Sequence, residues 1–201
     1  MSRSSKRKPG AREGRTGSAA ASGPLGLPGA WTPASVGSPN RADVFLERAA
    51  IAAILLYGIY WTLQAFTIHR LGNYAVETDF YWKYGPAAQA LRQGRMLIEH
   101  FDSKGWGYPL VVAAFSWLGL DLFRAGQVIG LLSACVTAFC VFRIHRKLLG
   151  SALAFLTLLL LLGNLTFITN TYQVGTDMFF FAILIASIAL LLALPRTGWK
   201  A

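Results

Sequence analysis

Residues 76–85 read VETDFYWKYG. Two carboxylates, Glu77 and Asp79, stand there between an uncharged run of membrane-spanning length at 49–68 and a cluster of aromatic side chains, Phe80, Tyr81, Trp82 and Tyr84. Ionised groups are costly in hydrocarbon unless they meet water or a partner. The stretch therefore marks where the chain leaves the bilayer, and the rest of the sequence is read outward from that exit.

Of the 201 residues 54% are hydrophobic and 14% are charged, with a mean hydropathy of +0.45. Soluble domains carry about 25% charged residues, so this is the composition of a membrane protein. A span needs about 20 apolar residues, with a lower limit of about 17. Four uncharged runs meet that length: 49–68, 125–142, 151–168 and 178–194. A fifth, 108–120, has 13 residues before Asp121 and would reach only roughly 20 Å as a helix. It is expected to be helical without crossing.

The formal charge of +10 sorts these runs by side. Arg3, Lys6, Arg7, Lys8, Arg12 and Arg15 precede a Gly/Ser/Pro/Ala stretch with nothing to bury, so 1–43 reads as a disordered basic arm. The remaining cations sit mainly beside apolar runs and form no basic face on a soluble domain, which argues against nucleic-acid binding. Lys and Arg concentrate on the cytoplasmic side. With the arm inside, the first span delivers Glu77 and Asp79 outside. If 108–120 does not cross, the cluster RIHRK at 143–147 and the terminal Arg196 and Lys200 all become cytoplasmic. The expectation is an all-α polytopic protein of four transmembrane helices, both termini cytoplasmic. Its membrane module is 44–201, with a long outer loop, about 69–123, and a short one, 169–177.

Within the long loop, Pro86 suits the first position of a helix and Gly94 its end. Tyr84, Ala87, Ala88 and Leu91 fall on one face, and Lys83, Gln89, Arg92 and Gln93 on another. A short amphipathic helix along the membrane surface is expected, with Tyr81, Trp82 and Tyr84 at headgroup level. Neither metal-ligand spacing, nor a phosphate-cradling glycine loop, nor a nucleophile elbow occurs. Cys135 and Cys140 lie inside an apolar run and read as buried thiols.

The order of features resembles a known family. A basic cytoplasmic end and one span are followed by an outer loop with an acid before YWKYGPAAQALRQG. Then come KGWGYPLVVAAFSWLG, a span, a basic turn, another span and VGTDMFFF. This is similar to the N-terminal portion of GT-C glycosyltransferases, closest to the family 39-like group of protein O-mannosyltransferases and aminoarabinose transferases. The resemblance runs over roughly 49–194 and its motifs are loose, with ETD where many members have adjacent Asp-Glu. It implies surface or re-entrant helices in the first outer loop. It also implies a cell-membrane enzyme, inner or plasma, that transfers a sugar from a polyprenyl-phosphate donor to a lipid, glycan or protein acceptor at the outer face. By the same resemblance Asp79 matches the catalytic acid, with Glu77 beside it, and Asp177 matches a second acid. Lys104 matches a basic residue facing the carrier phosphate. Members have more spans, which here would come from further chain or from a second chain.

Each residue also has a plainer reading. Glu77 is either a partner that raises its neighbour's pKa by like-charge repulsion or a solvated side chain. Asp177 stands at a helix N-terminus, which favours an anion through the helix dipole alone. Lys104 either holds a phosphate, pairs with Asp102 or faces headgroups. Trp106, Tyr108 and Trp117 are interfacial anchors or sugar platforms. No cofactor is called for, because lipid monophosphate donors do not require a diphosphate-binding metal; a divalent metal stays open. The competing function is a non-enzymatic four-span protein, such as a lipid-carrier flippase or an assembly partner of a transferase.

Overall fold

The computed structural model describes residues 40–69, 78–96 and 105–194, and every regular element among them is helical. Helix α1, Arg41–Thr67, starts at Asn40, whose side chain accepts from the Asp43 N–H at 2.8 Å. The Asp43 carboxylate in turn accepts from the Asn40 N–H at 3.3 Å. This reciprocal capping box carries the helix two turns below the apolar run, through Arg41–Arg48 of the sequence. The 27 residues span about 40 Å. Helix α4, Leu122–Leu149, starts where the exposed Asp121 caps the Arg124 N–H at 2.9 Å, and stops at Gly150, whose φ of +86° suits glycine.

These are the two described helices long and apolar enough to cross a membrane. A third crossing is reached only if α5, Ser151–Leu162, and α6, Leu165–Tyr172, are taken together. They are bent by 63° at the break. The expected single run 151–168 is thus interrupted, because Gly163 ends α5 and the Asn164 side chain caps α6 by accepting from the Phe167 N–H at 3.0 Å. Helix α7, Asp177–Ala193, has 17 residues.

Contacts at the two ends fix the helix directions. At one end Glu47 of α1 pairs with Arg146 at 2.6 Å and Arg143 at 3.3 Å, both late in α4. At the other, Arg124 of α4 donates to the Ala65 carbonyl late in α1 at 2.8 Å. So α1 and α4 run antiparallel. The Lys147 ammonium reaches the Leu192 carbonyl, which brings the C-terminal ends of α4 and α7 together and makes those two helices parallel. Helix α4 is the hub: most of its apolar stretch is buried, whereas little of that of α1 is. Fully buried alanines at Ala50, Ala65, Ala125, Ala134, Ala138 and Ala154 let the backbones approach closely, as small residues do where lipid removes the hydrophobic drive for association. Large apolar side chains such as Leu56, Ile59, Leu160, Leu184 and Leu191 point outward, as a hydrocarbon surrounding permits.

Of the segment between α1 and α4, residues 78–96 and 105–121 pack as a cap on the end that holds Ala65 and Arg124. A π-helical turn, Phe80–Tyr84, runs into α2, Gly85–Arg92, with Pro86 in its first turn and Gly94 at φ +68° just beyond it. Helix α3, Gly107–Ser116, is the expected short apolar helix, about 15 Å long. One expectation changes here. Tyr81 and Trp82 are exposed, but Tyr84 is buried at 4%, edge-on to Tyr108 with ring centroids 5.2 Å apart. The π-turn rotates it away from the surface into the core shared with α3 and α4.

Candidate functional site

Asp79 is the residue immediately before the π-turn and is exposed. Its position is set by the next residue: Phe80 is buried and meets Phe123 at the start of α4 at 5.6 Å. The turn can close into α2 because residue 85 is glycine, since a Cβ there would lie 2.9 Å from the Phe80 carbonyl oxygen. The aromatic chain continues from Tyr84 to Tyr108 and on to Phe179 at 5.8 Å. Phe179 is two residues beyond Asp177. Asp79 and Asp177 therefore lie at the same end of the helix bundle, the end opposite the Glu47–Arg143–Arg146 cluster.

Asp177 is exposed at the first position of α7. Thr176 takes the N-cap place without a side-chain capping bond, so the carboxylate acts in the first turn rather than as the cap. It lines a notch of about 470 Å³ together with Asn164, Thr166 and Asn170 at the α5–α6 break. Glu77 and Lys104 lie outside the described residues.

Several polar residues at this end were not singled out from sequence. Arg124 donates to the Ala65 carbonyl and, at 2.9 Å, to the Gln127 side-chain oxygen, and its guanidinium lies 4.8 Å over the Phe66 ring. The fully buried Gln127 donates to the same Ala65 carbonyl at 3.0 Å. Together they satisfy a carbonyl in the last turn of α1 that has lost its helical partner. His69 is 3% exposed between Phe123 at 5.4 Å and Tyr172 at 5.7 Å. Trp61 stacks on Tyr172 at 5.2 Å, walling a cleft of about 100 Å³. Below it, the Tyr57 hydroxyl and the buried Thr171 hydroxyl share a hydrogen bond of 2.7 Å. The available signal was the i, i+3 pair of Arg124 and Gln127 opening an apolar run. Cys135 and Cys140 are free and half-buried. Among the described residues no three His, Cys, Asp or Glu side chains group closely enough to hold a metal ion.

Chemically, this end of the bundle offers two solvent-reachable carboxylates, one at the mouth of a mixed polar and apolar notch. Such groups can take a proton from an attacking hydroxyl or hold a cation. Comparison with protein-family models, with curated proteins and with solved structures finds no match for the chain in any of the three.

Proposed function

We propose that the chain is the N-terminal portion of a membrane glycosyltransferase that passes a sugar from a polyprenyl-phosphate donor to an acceptor hydroxyl at the outer face of the cell membrane. The observation that carries this reading is the gathering of Asp79 and Asp177 at one end of the bundle, opposite the basic end. In this reading α1, α4, the bent pair α5–α6 and α7 are four crossings, and the basic end is cytoplasmic. Donor and acceptor then meet at the outer water interface. Asp79 removes the hydroxyl proton as the oxygen attacks the anomeric carbon, and Lys104 holds the leaving phosphate as a point charge. Glu77 and Asp177 support the site.

A specific observation keeps the non-enzymatic reading, an assembly partner or lipid-carrier flippase, in play: the apolar face of α1 is largely uncovered, which suits a helix that docks on further spans. One experiment separates the two. Asparagine at 79 preserves size but takes no proton, and general-base contributions are typically 10²–10⁴-fold. In an active preparation supplied with labelled polyprenyl-phosphate sugar and any missing spans, Asp79→Asn should lower the transfer rate by about that factor, with insertion unchanged and Glu77→Gln costing less. Parent-like transfer by Asp79→Asn alongside loss in Glu77→Gln or Asp177→Asn reassigns the base. Parent-like transfer by all three removes the transferase reading.

A further inference from the structure

The notch beside Asp177, which the transferase reading uses only for its carboxylate, also has an apolar wall and amide groups. It is roomy at about 470 Å³, within the range of small-ligand sites. Among the described residues that line it, Asp177 carries the sole charge. The neighbouring amides narrow what fits. Asn170 gives its amide N–H to the Thr166 carbonyl at 3.0 Å, which leaves its side-chain oxygen as an acceptor. Asn164 uses its side-chain oxygen on the Phe167 N–H. Asp177 and the Asn170 side-chain oxygen are thus left to accept from a cationic head, while the Asn164 amide N–H groups and the Thr166 hydroxyl remain to donate to an oxygen of the ligand or to water. Leu161, Met178 and Phe181 form the apolar wall below them.

Depth sharpens the point. Asp177 begins a helix whose far end is held by Lys147 at the Leu192 carbonyl, about 22 Å away along α7 at 1.5 Å per residue. That is less than the roughly 30 Å thickness of a hydrocarbon core. With α7 crossing, as in the proposed function, a carboxylate at this level meets the boundary between chains and headgroups, where a lone charge is costly without a partner. An ammonium brings three donors and no acceptor, and a hydrocarbon chain attached to it continues along the apolar wall.

We propose that the notch formed by the α5–α6 break and the start of α7 binds an amphiphile with a primary ammonium head, seated on Asp177 and Asn170 with its chain against Leu161, Met178 and Phe181. The site binds without donor sugar, so its test stands apart from the transfer assay.

The probe is a hexadecylamine carrying a photoreactive diazirine in its chain, added to the full chain in phosphatidylcholine nanodiscs. Label should concentrate on peptides from α5, α6 and α7. Asp177→Asn should cut it roughly fivefold, the upper end for an ion pair open to solvent on one side, while Asp177→Glu retains most of it. Asn170→Leu, which removes the second acceptor and leaves the charge in place, should also reduce labelling. Circular dichroism confirms that each variant keeps its helix content. Hexadecylamine should compete and hexadecanol should not. Competition by phosphatidylethanolamine as well assigns the site to an aminophospholipid; its failure assigns the site to a single-chain amine. Equal competition by hexadecanol, undiminished labelling in both Asp177→Asn and Asn170→Leu, or label spread evenly over α1 and α4 overturns the proposal.

Discussion

At the scale of single residues, the tightest constraint sits at two glycines one turn apart on α4. A Cβ on Gly126 would lie 2.4 Å from Cγ1 of Val174 and 3.4 Å from the Tyr108 hydroxyl oxygen, and one on Gly130 would lie 3.1 Å from the Thr171 carbonyl. Val174 is β-branched and 2% exposed, so it cannot swing clear without moving backbone. Gly126→Ala should therefore destabilise the folded protein by about 1–3 kcal/mol, the usual cost of overpacking. Adding Val174→Ala should return most of it. Unfolding by detergent titration measures both, and a neutral Gly126→Ala would show that the segment from Thr171 to Val174 yields freely. The spacing of these glycines is visible in the sequence, but their partner is some 45 residues further along the chain, and periodicity carries no information about that pairing. Asp79 and Asp177 are singled out in the sequence because an acid beside an apolar run is conspicuous and because the family resemblance falls on them. Arg124 and Gln127 were not, because what they serve is a main-chain carbonyl of another helix, which no side-chain pattern reveals.

At the scale of elements, the bend between α5 and α6 decides whether one crossing is straight or broken. Glycine ends the first helix and asparagine caps the second, so replacing both should remove the stop and the restart together. In Gly163→Leu/Asn164→Leu, the mean distance between spin labels at Ala152 and Thr169 should lengthen by roughly 3 to 4 Å as a 63° bend gives way to a continuous rise of 1.5 Å per residue. An unchanged distance would mean that tertiary packing of Phe167 and Thr171, both buried, holds the bend without the local signals. The same pair explains why the break was not legible: 151–168 has no charge and the length of a span, so its total hydropathy conceals a stop signal in the middle. Local signals did serve elsewhere. Pro86 and Gly94 bracket α2, and the missing length of the run after Gly107 foretold the short α3. The start of α1 was hidden for the opposite reason. Arg41 and Asp43 fall in the stretch read as a disordered arm, whereas the Asn40–Asp43 box makes them helix, continued by Glu47, which pairs with α4.

At the scale of the whole molecule, the arrangement is polar. Glu47, Arg143, Arg146 and Lys147 gather at one end, and Asp79, Asp177 and the α2–α3 cap gather at the other. In the proposed reading these ends face different compartments, with the basic one in the cytoplasm by the positive-inside bias. The expected outcome concerns both ends in one protein. With Cys135→Ala and Cys140→Ala as background, a cysteine replacing the exposed Gln93, just past α2, should react with a membrane-impermeant maleimide in sealed cells. One replacing the exposed Leu149, at the end of α4, should react only after the membrane is opened. The comparison is internal, because α1 and α4 are tied at both ends by the Glu47 pairs and by Arg124 on the Ala65 carbonyl, so the two sites cannot change sides independently. Labelling at 149 and protection at 93 would invert the molecule and bring both carboxylates to the cytoplasm, where an outward-facing transfer reaction has no place. Labelling at both sites in sealed cells would mean that α4 does not cross, and with it would fall the four-crossing arrangement on which the shared outer position of Asp79 and Asp177 depends.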